Sequence, residues 1–220
     1  MPGPRRSDDA APRDPAHVRR AGSTQRTRPG LLIAFEGLDQ SGKQTQAELL
    51  RDHLTAKGRT SRLLSFPDYA TVIGAEIGRA LRGERSYGPD VMQLLYVANR
   101  YEWKQAIVDA TRAGTILVCD RYLASSVAYG EAQGLDAAWL LEIQKYLPQP
   151  DVTILLDIPP DASARRKSAD RDTYERDLAL LARVRESYLR QAVHGWVRID
   201  ADRERDAVAA EVFAAVADRV

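Results

Sequence analysis

The residue pattern with the clearest chemistry is a glycine-rich turn that ends in a lysine, within AFEGLDQSGKQTQ. Gly37 and the pair Gly42 and Lys43 have the spacing G-x-x-x-x-G-K between an apolar run and a helical pattern. Glycines let backbone N–H groups converge on phosphate oxygens, and the start of a helix adds partial positive charge. The pattern predicts a nucleoside-triphosphate site formed by Gly37, Leu38, Asp39, Gln40, Ser41, Gly42, Lys43, Gln44 and Thr45.

The residue after the lysine departs from the usual pattern. Ser or Thr commonly stands there and its hydroxyl binds Mg²⁺, but this chain has Gln44, followed by Thr45. A glutamine side chain reaches a metal only through its amide oxygen or a water. The loop therefore predicts triphosphate binding and leaves open how Mg²⁺ is held. Lys43 is expected to be an exposed residue of the loop rather than part of the core.

A second polar cluster, CDRYLASSVAYG, follows another apolar run. Arg121 offers a planar fork of donors that suits a phosphate. Asp120 can orient that arginine or hold a metal-bound water. An Asp-Arg pair after a strand is often only a surface ion pair. Beside a phosphate loop, however, the pair is predicted to belong to the site, because ligands bind at the carboxyl ends of parallel strands.

Short apolar runs alternate with helical patterns along the chain, and these elements must position both clusters. Strands are predicted at 31–36, 60–66, 115–120, 151–158 and 195–200, and helices after the phosphate loop, at 72–82, 90–112, 123–146 and 160–192, and at the C-terminal end. This alternation predicts an α/β fold in three layers, with one five-stranded parallel sheet covered by helices on both faces.

The composition narrows the class of protein. The chain has 220 residues, of which 44% are hydrophobic, and its 32 basic residues balance 31 acidic ones, so no overall field recruits nucleic acid or a membrane surface. The single cysteine, Cys119, excludes an internal disulfide and fits a reducing, cytoplasmic compartment. No apolar run approaches the roughly 20 residues of a membrane span, and the N-terminus has no apolar signal core.

Residues 1–29 differ from all that follows. They are rich in Pro, Arg, Asp and small residues and have almost no large apolar ones. Such a segment cannot bury enough surface to offset its ordering entropy. We therefore expect a disordered tail, with the domain at 30–220. A basic tether for an anionic partner, or a translation start placed too far upstream, are the alternatives.

The chain resembles the thymidylate kinase family of P-loop nucleoside-monophosphate kinases. Four motifs carry the resemblance in the same order, FEGLDQSGKQT, FPDYATVIG, LLYVANRYEW and DRYLASSVAY, and DRDTYERD resembles the lid and its following helix. The resemblance implies the P-loop NTPase fold with a small lid at about 160–173. It also implies ATP and dTMP as substrates, Mg²⁺ as cofactor, and a homodimer.

The resemblance also implies roles on the acceptor side. Asp39 should accept a hydrogen bond from the sugar 3′-hydroxyl, and Arg100 should donate to a thymine carbonyl. Phe66 should stack on the thymine, although a plain core aromatic is the alternative. The other implied dTMP-binding residues are Tyr69 and Arg121 at the phosphate, Ser125 and Ser126 at the base edge, Tyr129 against the ribose 2′ position, and Tyr174 over the sugar.

The lid is expected to supply catalytic charge, because phosphoryl transfer needs cations around the moving group. Gln40 stands where some relatives have an arginine, and SARRKSADRD offers several cations, although a solvated basic helix face is the alternative. The expected catalytic residues are Lys43, Arg121, Asp39, Arg166 and Arg171, and the residues expected to hold Mg²⁺, mostly through water, are Asp39, Asp120 and Glu175.

Two other functions stay open at this point. One is a kinase of similar fold that acts on another pyrimidine nucleotide or on a deoxynucleoside. The other is a catalytically silent nucleotide-binding module whose function is interaction, an interpretation kept open by Gln44 and Tyr69. The acceptor that drives ADP release separates the kinases, and any turnover excludes the silent module.

Overall fold

The computed structural model describes residues 29–167, 171–193 and 195–220, and it leaves out the side chains of 166, 167 and 171–177. The predicted tail therefore lies outside the described residues. The predicted roles of four side chains also lie outside them: Arg166, Arg171, Tyr174 and Glu175.

Five apolar runs form one parallel sheet, in the order β2-β3-β1-β4-β5. The strands are β1 (Leu32–Glu36), β2 (Ser61–Ser65), β3 (Ile116–Asp120), β4 (Val152–Asp157) and β5 (Val197–Asp200). Each strand begins and ends within two residues of its predicted range. The predicted α/β class and the five-stranded parallel sheet are therefore confirmed.

Eight helices lie in the described part of the chain. They are α1 (Lys43–Ala56), α2 (Val72–Leu81), α3 (Pro89–Arg112), α4 (Leu123–Ala132), α5 (Ala137–Glu142), α6 (Pro160–Lys167), α7 (Arg171–Gln191) and α8 (Arg205–Val216). Among the residues described, none of these helices is long and apolar enough to cross a lipid bilayer.

The prediction of one helix over 123–146 is wrong, because a turn separates α4 from α5. Gly134 has a φ of 89°, in the left-handed region that glycine adopts without strain. Asp136 then caps α5, and its side chain accepts a hydrogen bond from the Trp139 amide at 2.7 Å. The pair of a glycine and a following aspartate was present in the sequence as a stop and a start signal.

The central strands face two separate cores. Along β1, Ile33 and Phe35 pack into a core shared with α1, α7 and α8. Leu32 and Ala34 point the other way, into a core shared with α3. This alternation is the period-2 pattern of a strand covered on both faces, and it confirms the three-layer arrangement.

The register of the sheet brings the two predicted polar clusters together. Strand β1 lies between β3 and β4, and Phe35 of β1 stands opposite Asp120 of β3. The phosphate loop leaves β1 directly after Glu36, and Arg121 directly follows β3. Both clusters therefore start from neighbouring strand ends, at the edge where ligands bind in parallel sheets.

Candidate active site

The phosphate loop turns from β1 into α1 through left-handed backbone. Gly37 has a φ of 143°, and a Cβ at this position would lie 2.4 Å from the carbonyl oxygen of Leu156 in β4. Gly42, with a φ of 88°, is the N-cap of α1. Only glycine accepts these conformations at low cost. The loop thereby leads into α1 so that the unpaired N–H groups of its first turn face the site.

Lys43 is buried, and the expectation of an exposed lysine is wrong. Its Nζ donates to the carbonyl oxygen of Leu38 at 2.6 Å and to Ser41 Oγ at 3.4 Å. Only 6% of the residue is exposed. Burial, followed by the charge of Arg121, lowers the pKa of Lys43 to about 7. Anionic phosphates nearby favour the protonated form, so the charge of this lysine depends on what binds beside it.

Arg121 is surrounded by hydrogen-bond acceptors. Its guanidinium donates to Asp39 Oδ1 at 2.5 Å, Ser125 Oγ at 3.1 Å, the Gly37 carbonyl oxygen at 3.2 Å, and the hydroxyls of Tyr188 and Tyr129, both at 3.3 Å. The guanidinium carbon also lies 5.2 Å from the ring centroid of Tyr129. Several simultaneous contacts fix the plane and direction of this cation.

Two of the residues around Arg121 were not predicted from the sequence. Glu36, which is fully buried, accepts hydrogen bonds from the amides of Tyr122 and Ser125 at 2.9 and 3.3 Å and from Ser125 Oγ at 2.6 Å. Tyr188 of α7 is 1% exposed. A signal for Glu36 existed, because a carboxylate that ends an apolar strand needs partners. Tyr188 had no local signal.

Ser125 differs from its expected place beside the base. Its hydroxyl bonds to Glu36 and lies 2.9 Å from the hydroxyl of Tyr188. It also accepts from Arg121. These contacts make Ser125 part of the support of Arg121, although the residue also lines the adjoining cleft.

A cleft of about 570 Å³ adjoins Arg121. It collects every described residue that was predicted to bind dTMP: Asp39, Phe66, Tyr69, Arg100, Arg121, Ser125, Ser126 and Tyr129. These residues come from the phosphate loop, the segment after β2, helix α3 and the start of α4. The sheet and its connections therefore bring four separate sequence motifs to one cavity.

Another part of the cleft combines a donor-rich arginine with an aromatic side chain. Arg100 is 3% exposed; its Nη1 donates to Ser126 Oγ at 2.7 Å, and its buried Nε has no hydrogen-bond partner among the described residues. Burial lowers the pKa of Arg100. Phe66 packs in the core and also lines the cleft, so the two interpretations of this residue are compatible. A guanidinium offers donors only, which suits the carbonyl oxygens of a pyrimidine.

Helix α3 fixes the segment that carries Phe66 and Tyr69. The fully buried Asn99 accepts from the Asp68 amide at 2.8 Å. It donates to Thr71 Oγ1 at 2.8 Å. Asn99 was not predicted as a site residue. It holds the cleft wall through contacts with main chain and side chain rather than by touching the cleft itself.

The residues predicted to hold Mg²⁺ differ in their surroundings. Asp39 is paired with Arg121. Asp120 has a buried Oδ1 to which no described residue donates a hydrogen bond, and burial raises the pKa of Asp120 while the charge of Lys43 opposes that shift. In the part of the chain that is described, no group of three or more His, Cys, Asp or Glu side chains could hold a metal ion alone. The unpartnered oxygen of Asp120 fits a water on a phosphate-bound Mg²⁺.

Other polar residues near the loop point along their own helices. Gln44 donates to Glu48 Oε1 at 3.0 Å on the exposed face of α1. Arg165 of α6 pairs with Asp161 one turn earlier. In contrast, the buried Ser163 of α6 donates to the main-chain oxygen of Asp39 at 2.7 Å. Helix α6 is therefore attached to the phosphate loop through a serine, while its described arginine lies on the exposed side.

Comparisons with known proteins agree with this geometry. The family model described as Thymidylate kinase matches residues 35–212. The thymidylate kinase of Dictyostelium discoideum is 32% identical over 185 residues, which cover 83% of this chain and 83% of that protein. That of Plasmodium falciparum is 35% identical over 183 residues, with 82% of this chain and 87% of that protein covered.

A further relative and a solved structure extend the likeness. The thymidylate kinase of Schizosaccharomyces pombe is 38% identical over 147 residues, which cover 67% of this chain and 70% of that protein. The solved structure of thymidylate kinase from Candida albicans superposes with a TM-score of 0.73 at 28% identity. It covers 86% of this chain and 92% of that one.

Proposed function

The chain belongs to the thymidylate kinase family, and on that premise we propose that its phosphate loop and cleft transfer the γ-phosphoryl group of MgATP to dTMP. The products are ADP and dTDP. One observation carries the proposal: two cations, the buried Lys43 and the partly buried Arg121, follow neighbouring strand ends. Asp39 of the phosphate loop pairs with Arg121 at 2.5 Å.

On the donor side, the loop binds the triphosphate. The backbone of residues 37–42 and the first turn of α1 offer N–H donors, and Lys43 supplies the cation for the β- and γ-phosphates. Lys43 now contacts Leu38 and Ser41 of the same loop. These neutral partners hold the side chain within the loop, and phosphate oxygens compete with them for its Nζ. Binding of the triphosphate and charging of the lysine therefore support each other.

On the acceptor side, each group has a separate task. Arg121 binds the phosphate of dTMP, and Asp39 accepts from the 3′-hydroxyl. Arg100 donates to a thymine carbonyl beside Ser126. With base and phosphate held by separate side chains, the attacking phosphate oxygen is directed at the donor. Positioning of this kind and charge neutralisation carry phosphoryl transfer, without a covalent intermediate.

Tyr69, Tyr129 and the metal complete the proposal. Tyr69 contributes a neutral hydrogen bond to the acceptor phosphate, and Tyr129 fills the space of a ribose 2′-hydroxyl next to Arg121. Asp120, Asp39 and Glu175 would hold Mg²⁺, mostly through water, together with the phosphates themselves. Bound there, Mg²⁺ neutralises charge on the β- and γ-phosphate oxygens.

Three further properties remain proposals. Residues 30–220 form the kinase domain, with a lid at about 160–173; Gly30 supports that start, because its amide donates to the Thr111 carbonyl oxygen at 3.1 Å. A homodimer is expected from the family resemblance. A cytoplasmic location is expected from the single cysteine, Cys119, which is buried and reduced.

The function is tested by an ADP-release assay with dTMP, dUMP, dCMP, UMP and thymidine as acceptors at saturating MgATP. We expect the highest kcat/KM with dTMP and lower values with dUMP and with dCMP, whose exocyclic amine meets the donor-only Arg100. Thymidine should give no turnover, because it has no phosphate to accept the group. A higher kcat/KM with thymidine or with UMP would contradict the proposal, and absence of turnover with all five acceptors would favour a silent nucleotide-binding module.

A further inference from the structure

Three buried polar groups form a closed triangle behind Arg121. Ser125 Oγ donates to Glu36 Oε2 at 2.6 Å, and the Tyr188 hydroxyl lies 3.3 Å from the same oxygen. The two hydroxyls are 2.9 Å apart. All three residues are buried. Burying such a cluster gains little stability compared with apolar residues of the same shape, so a role beyond packing is expected.

The triangle has a defined direction. A carboxylate only accepts hydrogen bonds, so the protons of both hydroxyls are directed toward Glu36 or between the hydroxyls. Their oxygen lone pairs are left for Arg121, whose Nη1 lies 3.1 Å from Ser125 Oγ and 3.3 Å from the Tyr188 hydroxyl. Burial and the charge of Glu36 raise the pKa of Tyr188 well above its usual value, so the phenol keeps its proton.

Of the three residues of the triangle, Ser125 lines the cleft, whereas Tyr188 and Glu36 do not. Tyr188 comes from α7, 152 residues after Glu36, whereas Ser125 and Arg121 lie within four residues of each other. Its hydroxyl therefore fixes the position of Arg121 from a second, independent element. A change at Tyr188 can reach the substrate only through its neighbours.

We propose that Tyr188 is a positioning residue for the acceptor phosphate. Its hydroxyl, acting with Ser125 and Glu36, holds the Arg121 guanidinium in the orientation that receives the phosphate of dTMP. This inference rests on the proposed role of Arg121 as the ligand of that phosphate. It assigns no contact between Tyr188 and any substrate, and it predicts an effect confined to the phosphate end of the acceptor.

The test compares two ligands that differ only in the phosphate. Calorimetry measures the Kd of dTMP and of thymidine for Tyr188→Phe, which removes a single oxygen. We expect the Kd of dTMP to rise roughly tenfold or more, as for the loss of a hydrogen bond to a charged group. The Kd of thymidine should stay within about twofold. In kinetics, the KM for dTMP should rise while the KM for ATP is unchanged.

Tyr122→Phe is the matched control. Tyr122 is also fully buried, and its hydroxyl has no hydrogen-bond partner within the described part of the chain. The same chemical change should therefore leave the Kd of dTMP and the Kd of thymidine within about twofold of their values for the unmodified chain. If Tyr188→Phe behaves like Tyr122→Phe, or if it weakens dTMP and thymidine equally, the inference is overturned.

Two further variants make every outcome decisive. Arg121→Gln should abolish the preference for dTMP over thymidine. If it does not, the proposed role of Arg121 is wrong; if it does and Tyr188→Phe does not, only the inference about Tyr188 is wrong. Should Tyr188→Phe fail to fold, Ser125→Ala removes another corner of the same triangle. Ser125→Ala is expected to give the same selective loss of dTMP affinity. An unchanged ratio of the Kd of dTMP to the Kd of thymidine would overturn the inference.

Discussion

Lys43 in the phosphate loop is a buried cation and Arg121 directly after β3 is a partly buried one, and their surroundings differ. Lys43 has a carbonyl oxygen and a hydroxyl as partners. Arg121 has the Asp39 carboxylate, and Glu36 lies behind its hydroxyl partners. Burial lowers the pKa of Lys43 to about 7. Burial also acts against the charge of Arg121, but the phenols and carboxylates around it outweigh burial and raise its pKa.

This difference indicates that the acceptor half and the donor half of the site control the charge of their cations in different ways. The acceptor half holds a permanent cation in a fixed orientation before any ligand arrives, because arginine does not lose its proton. The donor half holds an amine whose charge follows the phosphates of the ligand. Lysine suits that half because burial shifts its pKa readily. The predictions below separate these two designs, starting with the largest expected effect.

Lys43→Met should lower kcat by on the order of 10²–10³, as for loss of one transition-state donor. Stability should not fall. The pKa of Lys43 is about 7 in the folded chain, below that of an unfolded lysine. The unfolded state thus binds more protons between these values, and the lysine costs stability in that range. Steady-state kinetics and thermal melting at pH 7.5 measure both effects. A folded variant with near-normal kcat would remove the loop from the mechanism.

The next largest effect on kcat is expected from the arginines in and beside the lid. Arg165, Arg166 and Arg171 are changed singly to Ala. Arg165→Ala should stay within a few-fold of normal, because Arg165 pairs with Asp161 on an exposed helix face. Of the other two, whose side chains lie outside the described residues, at least one should lower kcat and kcat/KM together by roughly 10².

Gln40→Arg is the companion variant to the lid series. Gln40 is exposed in the phosphate loop with a φ of 60°, and an arginine there would place a cation on the donor side. Added to the impaired lid variant, it should restore part of the rate without changing ATP affinity. If all three single variants remain within a few-fold of normal, the lid does not supply the charge.

A smaller effect is expected on the number of protons taken up when ATP binds. ATP phosphates raise the pKa of Lys43 from about 7, so at pH 8 the free lysine is mostly neutral and the bound one is protonated. Binding should take up about one proton, and the affinity should fall up to about tenfold per pH unit above pH 7. Calorimetry in two buffers with different ionisation enthalpies measures the uptake. Lys43→Met corrects for protons on the nucleotide and should show none of this uptake.

The smallest effect is expected from removing the N-terminal segment, for which the sequence predicts no residue of either half of the site. Removing residues 2–28 should leave kcat and the melting temperature nearly unchanged, because this stretch lacks core-forming residues. The Gly30 amide donates a hydrogen bond to the Thr111 carbonyl oxygen and so attaches the start of the domain to α3. A large loss of activity or stability would move the domain boundary toward the N-terminus.

Local patterns predicted most of the fold. The five strands were found within two residues because each is a short apolar run next to a turn. The prediction of one helix over 123–146 is wrong because helical periodicity continues across Gly134, whose left-handed backbone follows the end of α4. The burial of Lys43 cannot be predicted from its motif, because a flexible side chain adopts the conformation in which it reaches hydrogen-bond acceptors. Here these are the Leu38 carbonyl oxygen and Ser41 Oγ.

The phosphate loop and the α/β class follow from the sequence alone, because spacing and periodicity are local properties of a sequence. The resemblance to a known family implied eight of the residues that line the cleft. Only the tertiary structure decided what stands behind Arg121. Glu36 and Tyr188 are separated by 152 residues, and they meet because β1 lies at the centre of the sheet and α7 packs against α4 over one face of it. Hydrogen bonds between such distant residues leave no periodic trace, since each partner is chosen by the folded geometry rather than by its neighbours along the chain.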